Sequence, residues 1–378
     1  MNAGVQVFVY PEELEAAGPD ELAAQVLELG CDAVSMALVY HRARRVFPRQ
    51  RRVSVLAGTA VYFEPNRERY GALAPVATAP RELREAVVRF REACDRSGLR
   101  FRAWLVGLHH EGLAAGHPQA AARTLDGSLS GHSLCPSAPE AVEYVAALAA
   151  DVAAQLGPEA IDLEAGLYPA WEPSYTLTLA LAPLSEEAKL LGSQCFCEAC
   201  RSLVGAGAAA LQARARAAAG PPFSDPGPGD DGVAAELVHA RARGVARLVE
   251  ATAAAVHGEA SLLRVFGAGA PAQAALQGLT PEAVAGADAL LLGCGPLQGE
   301  ELAARFAGLR ALAGGRQATA STNWTPQRSS AALAADAERL AAAGAEGLAL
   351  YNLSLVPDAG LDAFRAAAAA FRKAVAVA

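Results

Sequence analysis

A strand-like apolar run followed by an amphipathic helical stretch recurs along the whole chain, and no other feature restricts its fold so strongly. The strands read at Val5–Tyr10, Asp32–Tyr40, Leu99–Leu108, Ala160–Glu164, Ser261–Phe266, Ala289–Gly293, Gln317–Thr322 and Gly347–Tyr351. The helices read at Asp20–Leu29, Pro80–Ser97, Pro139–Leu156, Glu198–Ala219, Val233–His257, Pro281–Ala285, Glu300–Ala313, Ser329–Ala343 and Leu361–Val375. Proline or aspartate opens several of them, and Gly30 and Gly98 stop two. Eight strands alternating with helices predict an α/β protein whose parallel sheet closes into a (β/α)₈ TIM barrel. The alternative is a doubly wound open sheet. It is disfavoured because the eighth unit is complete and no glycine-rich dinucleotide turn follows the first strand; Gly267-Ala268-Gly269-Ala270 carries only a fragment of that motif. Residues 1–378 therefore read as one barrel domain instead of two or three smaller ones.

Three long excursions interrupt the rhythm: Arg42–Ala79, His109–Ser137 and Pro169–Gln194. They leave from the C-terminal ends of the second, third and fourth strands, where a barrel of this kind carries its site. Residues 220–232 (GPPFSDPGPGDDG) instead join two helices and read as a mobile surface loop.

Composition narrows the function. The net charge is −8 with no basic stripe, so nucleic acid is not an expected partner. No apolar run has the length of a membrane span, and the first residues show neither a basic n-region nor an apolar h-region. The expected setting is cytoplasmic, with no membrane partner, and self-association into a homo-oligomer is left open. Only two of the 32 basic residues are lysines, Lys189 and Lys373, and neither stands at a strand end. Schiff-base chemistry, which needs a lysine, is therefore not expected.

Chemistry concentrates in a few places. In Ile161-Asp162-Leu163-Glu164, strand alternation turns Asp162 and Glu164 to the same face, into the barrel. Such interiors are normally filled by branched apolar side chains. The two acids are candidates for general acid/base work or ligand binding, with a structural pairing to Arg102 or Arg264 as the alternative. His109-His110-Glu111 ends the third strand and His41 the second. Tyr40, Tyr62, Phe63, Tyr168, Trp171, Trp324 and Tyr351 gather aromatic faces at the predicted mouth, and Asn323 and Asn352 end two further strands. Aromatic faces with polar tips suit a polyhydroxylated small molecule, although each also serves as a loop-packing group.

Cys195-Phe196-Cys197-Glu198-Ala199-Cys200 brings three thiols to the start of a helix. Tetrahedral zinc needs a fourth ligand, for which Cys135 is the best cysteine. A structural zinc and free thiols are both compatible with this spacing. Cys31, Cys94 and Cys294 lie in or beside apolar elements and read as core.

Through Ala60-Val61-Tyr62-Phe63, Trp104–His110, Leu134–Pro139, Ile161–Ala165, Cys195–Cys200 and Leu348–Asn352, the chain resembles glycoside-hydrolase-like (β/α)₈ barrel proteins. Its cysteine cluster is similar to the metal-binding cluster of family 42 β-galactosidases, although here it follows the fourth strand. The resemblance implies a carbohydrate-active barrel with Glu164 as its acid/base, and no cofactor is expected for the chemistry. Retaining enzymes of this type put a second glutamate after the seventh strand, where this chain has Ser321-Thr322-Asn323-Trp324. Either another loop supplies it, with Glu64, Glu111, Asp126 and Glu172 as the candidates, or the mechanism is not a two-carboxylate displacement. On this reading Asp162 tunes Glu164, His109 or His110 binds a hydroxyl, and Tyr40, His41, Tyr62, Glu64, Tyr168, Trp171, Asn323, Trp324, Tyr351 and Asn352 bind substrate. Two other readings are a divalent-metal-dependent sugar isomerase, epimerase or lyase, and a non-catalytic carbohydrate-binding barrel.

Overall fold

A computed structural model describes residues 4–169, 189, 191–219, 231–312 and 314–377. The barrel strands are β1 (Gly4–Val9), β2 (Ala33–Tyr40), β6 (Arg100–Val106), β9 (Ala160–Glu164), β10 (Leu262–Ala268), β11 (Ala289–Gly293), β12 (Gln317–Asn323) and β13 (Gly347–Tyr351). Each pairs in parallel with its successor, and β1 pairs with both β2 and β13, so the ring is closed. The expected (β/α)₈ barrel is the observed one.

Local chemistry explains the long outer helices. Pro139 opens Pro139–Leu156 and Gly157, at φ 49°, closes it; Gly98, at φ 70°, closes Arg81–Ser97. Their inner faces, including Leu83, Val87 and Phe90, and Val145, Leu148 and Val152, are buried. Each such side chain stabilises the fold by about 1.5–3 kcal/mol.

The excursions hold structure that periodicity does not reveal. The first contains the hairpin β3 (Ala43–Phe47) and β4 (Arg52–Leu56), then β5 (Ala60–Val61), which pairs antiparallel to the end of β2 through Val39–Val61 and Tyr40–Ala60. The second contains the helix Glu111–Gly116 and the hairpin β7 (Ala121–Arg123) and β8 (Leu129–Leu134). Most of the third lies outside the described residues.

Several helix boundaries differ from expectation, among them the start of the last helix, which lies at Asp358 instead of Leu361. Glu198–Ala219 is two helices, Glu198–Val204 and Ala208–Ala219, because Gly205 takes φ 72° and stops the first. Residues Pro281–Ala285 form only turns, and the helix of that segment lies earlier, at Pro271–Leu276, with proline in its first turn. The helix expected from Val233 begins at Asp231, so the expected 220–232 loop is shorter at that end; 220–230 lie outside the described residues. No described helix is long and apolar enough to cross a membrane.

The barrel floor is polar. Ser35 Oγ donates to Asp162 Oδ2 at 2.6 Å and Gln6 Nε2 donates to the same oxygen at 3.3 Å. Arg264 Nε lies 3.3 Å from Asp162 Oδ1, an ion-pair distance. Gln6 Oε1 accepts from Arg264 Nη1 at 2.7 Å and also from Arg102, whose Nε reaches Glu159 at 2.8 Å. All of these side chains except Glu159 are buried.

Candidate active site

The site is built two residues above that floor. Ile161 and Leu163 face outward and are fully buried, so Glu164, like Asp162, turns inward, at the C-terminal end of β9. Trp104 stands on the neighbouring strand, in register with Asp162. Its indole Nε1 donates to Glu164 Oε2 at 2.6 Å.

An aromatic floor surrounds this pair. Trp104 meets Phe8 edge-on at 4.9 Å between centroids, Tyr40 at 5.0 Å and Tyr351 at 5.8 Å, and stacks on Tyr10 at 5.6 Å. Tyr351 Oη lies 3.1 Å from Tyr10 Oη and 3.4 Å from Tyr40 Oη. Burial pushes the Glu164 carboxyl above its usual range; the charge of a protonated His41 and the Trp104 hydrogen bond pull it back only in part. A carboxyl that holds its proton to higher pH at the wall of a cleft is suited to donate it.

Glu164 lines a cleft of about 360 Å³ together with Phe8, Trp104, Phe266, Ser321, Asn323, Tyr351 and Arg305. Tyr351 also borders a second cleft of about 690 Å³, lined by Tyr10, Tyr40, His41 and residues of the β3–β4 hairpin. Four expected binding residues, Tyr40, His41, Asn323 and Tyr351, are thereby gathered around Glu164.

Others are placed elsewhere. Asp162 is committed to the floor network just described. Tyr62 is buried and donates to Glu12 Oε1 at 2.7 Å, within a Glu12–Arg45 ion pair. Glu64 is 72% exposed and pairs with Arg84 of an outer helix at 2.9 Å, away from the mouth. Asn352 is buried and caps a short 3₁₀ turn by accepting from Ser354 N at 2.9 Å. His110 caps the helix Glu111–Gly116, its Nδ1 accepting from Leu113 N at 3.2 Å, beside Tyr144 of another outer helix. Burial lowers its pKa to about 4. Trp324 packs half-buried against the core and lines neither cleft. Trp171 and Glu172 lie outside the described residues.

His109 stands between His41, 6.0 Å away between ring centroids, and His132, at 6.3 Å. Burial lowers its pKa to about 3, so it is neutral near pH 7. Beyond this row Glu111 accepts from Thr59 Oγ1 at 2.8 Å and from Arg42 N at 3.3 Å. Asp126 is exposed and pairs with Arg216 at 3.6 Å.

Sequence reasoning missed Trp104, Tyr10, Phe8 and Phe266 as site residues. The signal was present for two of them: Phe8 and Tyr10 alternate inward along the first strand run, as Asp162 and Glu164 do along theirs.

The cysteine cluster forms a separate centre. The sulfurs of Cys135, Cys195, Cys197 and Cys200 all lie within 4.8 Å of one another, and all four thiols are free. Backbone amides point at three of them: Arg123 N at Cys195, 3.3 Å; Ser137 N at Cys135, 3.4 Å; Cys200 N at Cys197, 3.5 Å. Such N–H donors favour thiolates, and the donor set fits a tetrahedral metal. Tyr168, expected at the mouth, belongs here instead. Its Oη lies 3.4 Å from Cys200 Sγ and bonds Ser137, while the Arg241 guanidinium lies 4.6 Å from its ring. The buried Arg241 cation lies close enough to Cys135, Cys195 and Cys200 to interact favourably with negative charge on the cluster.

No family model and no curated protein sequence matches the chain. Solved structures do. The chain is similar to the catalytic domain of β-amylase from Paenibacillus polymyxa, with a TM-score of 0.60 and 12% identity over 99% of each chain. It is similar to a β-galactosidase from the psychrophilic Marinomonas ef1, at TM-score 0.58 and 13% identity over 97% of this chain and 59% of that one. It is also similar to α-L-fucosidase isoenzyme 2 from Paenibacillus thiaminolyticus, at 0.57 and 14%, covering 97% of this chain and 49% of the other. These solved structures are glycoside hydrolases, and what the likeness establishes is the barrel they share with this chain.

Proposed function

We propose that this protein cleaves a glycosidic bond of a small or soluble sugar conjugate, with Glu164 as general acid/base. The observation that carries the reading is the Glu164 carboxyl itself. It is desolvated, held by one neutral donor and set in an aromatic-walled cleft at the C-terminal face of the barrel. Protonated Glu164 gives its proton to the leaving oxygen, and the ionised form then takes one from the attacking water. The indole N–H of Trp104 steadies the carboxylate left behind. Tyr40, Tyr351 and Phe266 offer ring faces and phenol groups to the sugar, and Asn323 an amide. Glu111 and Glu172 are the proposed sources of a second acid.

The committed partners of Asp162 speak against a divalent ion shared between it and Glu164. A non-catalytic sugar-binding barrel is the second reading, favoured by one observation: among the described residues lining the two clefts, Glu164 is the only carboxylate. The experiment is Glu164→Gln against the native chain over a panel of aryl glycosides. The expected result is a loss of about 10²–10⁴-fold in kcat for whichever glycoside is turned over. Unchanged turnover by the variant sinks the acid/base assignment, and no turnover by the native chain with retained sugar binding moves the protein to the second reading.

The cysteine centre is proposed as a structural zinc site that ties the loop after β6 to the segment after β9, with no part in the chemistry. Metal analysis is expected to find one zinc per chain, and none after Cys135→Ser.

A further inference from the structure

The 360 Å³ cleft has two charged walls, and the chemistry proposed above uses only one. Among its described lining residues, Glu164 and Arg305 alone carry charge. Arg305 lies on the helix Gly299–Ala311, which buries Leu302, Phe306 and Leu309 against the barrel. Arg305 is itself half-buried. Arg305 lines the cleft, and its cation is close enough to Cys294, another wall residue, to act on it electrostatically.

No described carboxylate pairs with it, and Glu164 is not within ion-pairing reach. The groups that draw the Glu164 carboxyl back toward its usual range are His41 and Trp104, not Arg305. The acid and the cation therefore line the same cleft without pairing, and Phe8, Phe266 and Tyr351 add ring faces to its wall. A half-buried guanidinium in such surroundings is poorly solvated, and its planar fork matches a carboxylate or a sulfate.

We propose that Arg305 is a specificity-determining residue that binds an anionic group on the ligand, so that the cleft selects acidic saccharides over neutral ones. This rests on the reading of the Glu164 cleft as a sugar site, and deepens it by naming the substrate class. The shared chemistry is a saccharide carrying a carboxylate, as in a uronic acid, or a sulfate ester.

The test is direct binding to the Glu164→Gln chain, which needs no turnover. Calorimetric titrations compare glucuronate and galacturonate, their neutral parents glucose and galactose, and the 6-sulfates of both. At least one anionic sugar is expected to bind tenfold or more tightly, about 1.4 kcal/mol, than its neutral parent. Adding Arg305→Ala is expected to remove that advantage while leaving the affinity for the neutral parent unchanged, which also shows the fold is intact. Arg305→Lys is expected to restore part of it for sulfate and less for carboxylate, since only the arginine fork is bidentate. Whether uronates or sulfated sugars bind separates the two sources of the anion. If neutral sugars bind as well as anionic ones, or if Arg305→Ala leaves the anionic preference intact, the assignment of Arg305 is wrong and the sugar site stands. If no saccharide of any set binds, the sugar site falls, and this inference with it.

Discussion

Asp162 and Glu164 stand two residues apart on one strand and face the same way, yet the barrel treats them oppositely. Asp162 sits in the floor with Ser35, Gln6 and Arg264 around it. Glu164 sits at the rim with one neutral donor, Trp104, and a wall of rings. The floor supplies a counter-charge at one carboxylate oxygen and two hydrogen bonds at the other, so that acid holds structure together. The rim withholds them, so burial pushes Glu164 toward its protonated form and leaves it available to a ligand. What separates a structural acid from a chemical one here is the supply of partners. Direction into the barrel is common to both.

The strongest way to break this contrast is to remove the floor acid. Asp162→Ala leaves Arg264 buried without its counter-ion, in a setting that already lowers the arginine pKa to about 10 through burial. The expected loss is about 3–5 kcal/mol of stability, read from the midpoint of urea unfolding. Asp162→Leu combined with Arg264→Met, which replaces the pair by apolar groups of similar size, is expected to recover much of it. A loss below about 1 kcal/mol for Asp162→Ala would show that the floor network is not what holds that acid in place.

How much of this was legible in the sequence follows from the range of the forces involved. The eight strands were readable because each is a short apolar run bounded by helical periodicity. The pairing of Asp162 and Glu164 on one face needed only the alternation of a strand. The four thiols were readable because their residue type has few roles at that spacing. Three classes of feature were not. Hairpins such as Ala43–Phe47 with Arg52–Leu56 carry short mixed runs, Ala-Arg-Arg-Val-Phe and Arg-Val-Ser-Val-Leu, on a small two-stranded surface, and look like loop until their partner strand is known. Strand-end residues such as His110, Asn352 and Tyr168 sit where site residues sit, but turn back to cap a helix, cap a turn or back the cysteine centre. The groups that define the rim come from far along the chain. Trp104 reaches Glu164 across 60 residues of sequence, and Arg305, within an ordinary amphipathic helix, looks like a solvated face until the fold brings it to the cleft.

The smallest effect sharpens the contrast from the rim side. Glu164 has its folded pKa raised above the unfolded value, so between the two values the folded state binds more protons than the unfolded chain. Stability then falls as pH rises through that window, and above it the buried, ionised carboxylate carries a standing cost. Glu164→Gln removes the ionisation while keeping an oxygen to accept from the Trp104 indole. At pH 7 the variant is therefore expected to be more stable than the native chain, with the gain shrinking toward pH 4. Thermal or urea unfolding of both chains at the two pH values reads the difference. Destabilisation at pH 7, matching in sign the expected loss for Asp162→Ala, would mean that the rim acid is satisfied as the floor acid is, and that partner supply does not distinguish the two positions.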